Sequence, residues 1–160
     1  MTLANESAKI GVWDYFVQED KLIWDKQMYA VYGIREEDFP RTDKAWESSL
    51  HPEDKQHAIE EVNQVLRGEM EYDSEFRILL ANGEIRHIKV NAVVLRDEQS
   101  KPVRVVGINY DITARRLAEN ALKVSEENFR TFFSSIADLL FVLDSDGNMI
   151  DVNETVLRRL

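Results

Sequence analysis

The chain has no cysteine among its 160 residues. That removes disulfides, thiolate metal sites and cysteine nucleophiles from consideration at once. Proline is scarce, at 3 residues, and glycine is limited to 6, so the strong turn signals are few. The only histidines are His51, His57 and His87, and no spacing of His, Asp and Glu matches a metal-binding pattern. No apolar run approaches the roughly 20 residues of a membrane helix. The longest, Leu139-Leu140-Phe141-Val142-Leu143, reads as a buried strand. The N-terminus shows no basic segment followed by an apolar one, so no signal peptide is expected. Basic residues are outnumbered 20 to 30 by acidic ones, and the net charge of -10 opposes binding to nucleic acid, whose phosphates it would repel. A solvated acidic surface accounts for that charge. There is no phosphate loop, nucleophile elbow or kinase signature, so no catalytic residue and no metal ligand is assigned.

What remains is ordinary globular material, 44% hydrophobic and 31% charged. The length suits one domain with something added. Residues 3–9 carry a weak helical signal. Residues 10–17 and 21–24 are rich in β-branched and aromatic side chains, and Gln18-Glu19-Asp20 between them suits a tight hairpin. A short helix over 28–32 closes at Gly33. Residues 35–50, with Pro40, read as loop with short helices. His51-Pro52-Glu53-Asp54 starts a helix: His51 suits a cap, proline at the first helical position loses no needed N–H, and the two acids face the positive end of the dipole. Glu53 and Asp54 resemble a catalytic pair, but dipole compensation explains them. Ile59, Val62 and Leu66 form the apolar stripe of this helix, and Arg67-Gly68 ends it.

Three strands follow. Phe76, Ile78 and Leu80 alternate with charged residues up to the turn at Asn82-Gly83. Ile88, Val90, Ala92 and Val94 alternate with more polar ones. Residues 103–112 are apolar on both parities, so this strand needs a cover on each face. Thr113 is a candidate N-cap for a helix over 114–135. In that helix Ala118, Leu122, Ser125, Phe129, Phe132 and Ile136 are spaced as a short heptad seam. The alternatives are a dimer seam and an amphipathic helix lying on its own domain. Residues 139–144 and 148–152 flank Ser145-Asp146-Gly147, a hairpin signal, and residues 155–160 begin another helix.

Read together, Ile10-Gly11-Val12-Trp13-Asp14, Trp24, Tyr32-Gly33-Ile34, Trp46, His51-Pro52-Glu53-Asp54, Glu75-Phe76-Arg77, Asn82-Gly83-Glu84, Arg86, Arg96-Asp97, Lys101-Pro102-Val103, Val106-Gly107 and Asp111-Ile112-Thr113 resemble the PAS domain with its C-terminal PAC motif, in the branch that begins with a glycine-tryptophan strand. The resemblance covers about residues 10–116, and residues 126–160 resemble the start of a second such domain. It implies an α+β fold, a five-stranded antiparallel sheet with helices on one face, plus a C-terminal linker helix. The implied organisation is a leader over 1–9, a PAS/PAC domain over 10–113, a linker helix over 114–135 and the truncated start of a second PAS domain over 136–160.

The resemblance further implies a ligand pocket between sheet and helices. Phe76, Ile78, Leu80, Ile88, Val90, Ala92, Val105, Gly107 and Asn109 are expected to face it, with Trp13, Trp24 and Tyr29 as further lining. For Trp13, Trp24, Tyr29 and Tyr32, core packing is the equal alternative. Asp111, Ile112 and Thr113 are expected to relay pocket changes to the linker helix, with Thr113 capping it and Asp111 paired to a base. Val106, Ile108, Tyr110, Leu122 and Phe129 are the expected surface of a homodimer. No cofactor is expected, and the pocket leaves room for an unknown small apolar ligand. The light-oxygen-voltage branch holds flavin with amides and a cysteine. Here Ile78 and Ile88 stand where two amides would fall, only Asn109 remains, and cysteine is absent, so flavin is not expected. Haem ligation by His57 is not expected either. His87 stands where many relatives have tryptophan. The implied role is a cytoplasmic sensing and dimerisation module that acts on the output domain of its own chain, without nucleic acid or membrane contact. The implied host is a sensor histidine kinase first and a cyclic-di-nucleotide cyclase second, and the alternative role is a ligand-free spacer.

Overall fold

The computed structural model describes residues 9–136, 138 and 140–159. The helix expected over residues 3–9 therefore lies, apart from Lys9, outside the described residues, as do Ala137 and Leu139. The chain divides into two compact units, one ending at Ala114 and one beginning at Arg115.

In the first unit a hairpin joins β1 (Ile10–Phe16) to β2 (Lys21–Trp24). Helix α1 (Lys26–Tyr32) follows, with the Asp25 carboxylate accepting the Met28 N–H at 2.8 Å and Gly33 closing it in the left-handed region. A 3-10 turn (Glu36–Asp38) and α2 (Asp43–Ser49) lead to α3 (Pro52–Arg67). As expected, His51 caps α3, its Nδ1 accepting the Glu53 N–H at 3.3 Å. The stripe of α3 differs from the expectation by one position. Ala58 and Val65 are its fully buried residues, while Ile59, Val62 and Leu66 are half-buried. The small Ala58 lets the helix approach closely, which spacing of large apolar residues does not register.

Strands β3 (Tyr72–Leu79), β4 (Ile85–Arg96) and β5 (Pro102–Asp111) complete one antiparallel sheet in the order β2-β1-β5-β4-β3. The terminal strands of the order are β2 and β3, so β5 lies at the centre, paired with β1 and β4. Its odd residues Val105, Gly107 and Asn109 are buried and its even residues Val106, Ile108 and Tyr110 only half-buried. The double cover that its apolar composition calls for is thus supplied on one face. The core beneath that face includes Met28, Val31, Tyr32, Trp46, Leu50, Phe76, Ile78, Ile88 and Val90.

Glu53 and Asp54 do more than offset a dipole. Asp54 accepts the Arg77 backbone N–H at 2.9 Å and is bridged by its guanidinium at 2.6 and 3.0 Å, and Glu53 joins at 2.9 Å. They pin the start of α3 to β3.

Helix α4 (Thr113–Ser135) begins with only Ile112 between it and the end of β5. In the second unit β6 (Phe141–Leu143) and β7 (Met149–Val152) form an antiparallel hairpin, and α5 spans Glu154–Arg159. The Asp144 carboxylate shapes the turn by accepting the Asp146 and Asn148 N–H groups. Asn153 is buried and fully engaged: its oxygen accepts from Leu140 N–H, and its amide donates to the Ile136 and Asp138 carbonyls. Phe133 and Val156 are buried, and Phe133 stacks on Phe129 at 5.5 Å.

Candidate functional site

A cavity of about 50 Å³ lies against the inner face of the sheet. The strands contribute Trp13, Tyr15, Tyr72, Phe76, Val90, Val105 and Asn109, and α2 contributes Asp43 and Trp46. Strand alternation puts Trp13 and Tyr15 of β1 on this side. Trp13 stands opposite Gly107 in the ladder, and a Cβ at Gly107 would overlap the Trp13 indole and approach the Ala92 methyl at 2.8 Å. Glycine is therefore required there for the ring to lie across β5.

In that position the Trp13 Nε1 donates to Asn109 Oδ1 at 2.8 Å, and Asn109 Nδ2 donates to the Tyr32 hydroxyl at 2.9 Å. Burial pushes the Tyr32 phenol up, offset in part by hydrogen bonds from Asn109 and Trp46. Among the described residues no buried side-chain nitrogen or oxygen lacks a partner. Asn109 is thus not a spare amide waiting for a ligand. It bridges β1, β5 and the last residue of α1.

Asp43 is the one side chain in the lining that carries charge at neutral pH. Burial, with Glu47 and Asp20 nearby, pushes its carboxyl up to about 6. Its backbone N–H donates to Asp20 Oδ1 at 3.1 Å, and the Tyr15 hydroxyl donates to the same oxygen at 3.2 Å. Burial pushes the Tyr15 and Tyr72 phenols up, with Asp43 and Asp20 adding to the push on Tyr15, and Tyr32, Glu61 and Asp43 to that on Tyr72.

Of the residues expected to line the pocket, Trp13, Trp24, Phe76, Val90, Val105 and Asn109 do so, and Tyr29, Ile78, Leu80, Ile88, Ala92 and Gly107 do not. Tyr29 instead packs edge-on against Phe39 at 5.8 Å and tilted against Trp24 at 5.6 Å. Ile78 pairs by backbone with Leu50, and Ile78 and Ile88 sit in solid core at 1% and 0% exposure. Tyr15, Asp43, Trp46 and Tyr72 were not expected. Trp46 and Tyr72 carry the ordinary signal of a buried aromatic, but Asp43 lies in a charged segment that reads as loop with short helices. His57 is exposed, 3.5 Å from Glu61, and is not in the lining.

The junction beyond β5 is tied to β4. Ile112 N–H donates to the His87 carbonyl at 2.8 Å, and His87 N–H donates to the Thr113 hydroxyl at 2.9 Å. Asp111 accepts the Thr113 N–H at 2.8 Å and the Thr113 hydroxyl. Thr113 was expected as the cap preceding the helix. Instead the helix includes it, and its oxygen serves the β4 backbone. The expected base is Arg86, whose Nε lies 3.8 Å from Asp111 and whose Nη1 donates to the Ala30 and Val31 carbonyls of α1.

Val106 and Ile108, with Val12 and Val93, border an open groove of about 710 Å³ on the other side of the sheet. Leu122 and Phe129 on α4 are 62% and 52% exposed. Among the described residues no group of three or more His, Cys, Asp and Glu could hold a metal ion, and no helix is long and apolar enough to cross a membrane.

A family model described as "PAS fold" matches residues 21–109. The chain is 31% identical over 144 residues to the probable diguanylate cyclase DgcE of Escherichia coli K12, covering 90% of this chain and 13% of that protein. It is 26% identical over 155 residues to the sensor protein FixL of Bradyrhizobium diazoefficiens, covering 97% of this chain and 30% of that protein. The chain thus spans less than a third of the length of either relative. Among solved structures, a sensory box histidine kinase/response regulator from Burkholderia thailandensis superposes with a TM-score of 0.68 at 27% identity, covering 81% of this chain and 96% of that one.

Proposed function

The chain belongs to the PAS fold family, and from that premise we propose that it is the signal-receiving module of a larger signal-transduction protein. One observation carries the reading. Strand β5 lines the cavity with Val105 and Asn109, ends at Asp111, and leads through Ile112 alone into the 23-residue helix α4. A molecule that enters the cavity must displace those side chains. Because β5 is hydrogen-bonded on both sides, its end moves with its middle, and the start of α4 moves with its end. The ligand is a small molecule of mostly apolar surface. The outer sheet face and the exposed seam of α4 serve a homodimer, and no catalysis is assigned to this segment. Its output is a histidine kinase domain of the same protein. A diguanylate cyclase output is the second reading, supported by the 31% identity to a probable enzyme of that kind.

The relay is tested by crowding the cavity from β5 with Val105→Leu and mapping backbone amide signals by NMR. Shifts are expected at the cavity and again at Ile112 and the first turn of α4. Shifts confined to the cavity lining would refute the relay and favour a spacer that senses nothing.

A further inference from the structure

The second unit repeats the opening of the first. In the first, Trp13 pairs with Trp24 across the hairpin, and the Val12 carbonyl accepts the Asp25 N–H at 3.0 Å. The Asp25 carboxylate then caps α1 by accepting the Met28 N–H. In the second, Phe141 pairs with Val152, and the Leu140 carbonyl accepts the Asn153 N–H at 3.2 Å. The Asn153 side-chain oxygen then accepts the Val156 N–H at 3.4 Å. Each residue of the second set stands 128 positions after its counterpart, as residue 141 does after residue 13. Met28 and Val156 are both buried. No position of the set keeps its residue type, so what repeats is the backbone geometry. The hairpin tips differ, because the register of the second shifts after Val142.

The two copies differ in what covers them. Hydrogen-bonding direction alternates along an antiparallel ladder, so the neighbour of a residue bonded across the hairpin turns its own N–H and C=O to the opposite edge. Trp13 is such a residue, and β5 fills that edge with Gly107 facing it. Phe141 is its counterpart, but the sheet of β6 and β7 has two strands, so among the described residues no strand meets that edge. Edge strands are ordinarily blunted by charge or proline, and Phe141-Val142-Leu143 carries neither. The side chains agree. Phe141 is 46% exposed, and Leu157 is 70% exposed where its counterpart Tyr29 is 9% exposed. A two-stranded hairpin left so is marginal in water. We infer that residues 140–159 open a second domain of the first unit's fold, and that the free edge of β6 receives an antiparallel strand in the place that β5 takes beside β1. The strand comes from the same polypeptide, as β5 does, and from outside residues 1–160. It carries glycine or alanine opposite Phe141, for the reason that Gly107 stands opposite Trp13: a large ring lies across the neighbouring strand only where no bulky side chain rises from it. The inference is independent of the cavity and of any ligand.

The test is amide hydrogen exchange resolved at Phe141 and Val142, in the 160-residue chain and in the whole parent protein, each at two concentrations. The Val142 N–H points into the hairpin and the Phe141 N–H to the open edge, so in the 160-residue chain Phe141 should exchange at least about tenfold faster than Val142. In the parent protein Phe141 should slow by about a hundredfold or more, to the rate of Val142, at both concentrations. Protection of Phe141 in the 160-residue chain that rises with concentration would make a second copy the occupant and overturn the inference. Protection there that does not depend on concentration would mean that residues 1–160 already cover the edge, with the same result. Fast exchange of Phe141 in the parent protein would leave the edge without a strand of its own polypeptide, open to a separate partner, and would also overturn it. Cross-strand contacts to Phe141 in the parent protein then identify the facing residue, and a bulky side chain there would refute the equivalence with Trp13 and Gly107.

Discussion

Asn109 is the residue whose removal most directly examines this account of the cavity. It is 2% exposed, accepts from Trp13 and donates to Tyr32. Replacement by alanine leaves the indole N–H without its acceptor and removes one donor from the Tyr32 oxygen. An unmet buried polar group costs about 1–3 kcal/mol. The two losses are unequal. Tyr32 retains its bond from Trp46, whereas Trp13 has no other acceptor unless water enters the cavity. A loss of about 2–4 kcal/mol is expected, allowing about 1 kcal/mol for the deleted side-chain volume. At about 4 °C per kcal/mol for a domain near 100 residues, Tm should fall by roughly 8–16 °C. Urea denaturation of Asn109→Ala, Tyr32→Phe and the double variant then isolates the shared bond, with a coupling energy expected at about 0.5–3 kcal/mol. A loss below about 0.5 kcal/mol for Asn109→Ala, or strict additivity in the cycle, would refute the bridge.

Two acids should respond to pH in opposite senses. Asp43 has its carboxyl pushed up, so its ionised form is disfavoured by folding, and stability is gained as pH falls through about 6 toward the ordinary carboxylate range. Asp43→Asn should therefore be more stable than the parent in urea at neutral pH and lose that advantage by about pH 4. Asp54 is held low, chiefly by hydrogen bonds from Arg77, so its contribution is present above the ordinary range and lost as pH falls through its lowered value. Asp54→Asn should be the less stable chain at neutral pH, with the gap closing in strong acid; a constant gap for either variant would contradict the assignment. For the homodimer, sedimentation of the parent chain should show dimer. Leu122→Glu should give monomer if the α4 seam holds it, and Ile108→Glu if the sheet face does. A parent already monomeric at high concentration would remove the dimer from the reading.

The architecture was legible because it rests on patterns of low order. Alternation through Phe76 and Ile78, the His51-Pro52-Glu53-Asp54 start and the Gly33 stop each follow from local stereochemistry and appear where expected. The site was legible only in part, because a cavity is where packing fails, and periodicity marks the inner face without saying which inner residues meet empty space. Ile88 and Val90 share strand, face and burial, yet only Val90 borders the cavity. Asp43 was illegible for another reason. Its burial comes from the way the segment after Pro40 folds against β1 and β2, and nothing local distinguishes it from Asp38 or Glu47. Asn109 was legible as an inward-facing residue, but its partners were not, since they lie 96 and 77 residues away in sequence.

The same long-range bonds give the junction a second line of connection. Along the strand, Val105 and Asn109 lead to Asp111 within one ladder. Through side chains, Trp13 and Asn109 hold Tyr32, the final residue of α1, and Arg86 binds the α1 carbonyls of Ala30 and Val31 while lying 3.8 Å from Asp111. Both lines end at the carboxylate that holds Thr113. Adjacency of this kind is not itself coupling, because coupling requires an element with two arrangements that the cavity biases. The Val105→Leu experiment separates the two lines. Motion carried by the ladder reaches Ile112 while the Ala30 and Val31 amides stay still. Motion carried through Asn109 and Tyr32 must shift α1 first, and it should vanish in Asn109→Ala, where the ladder is intact and only the bridge is gone.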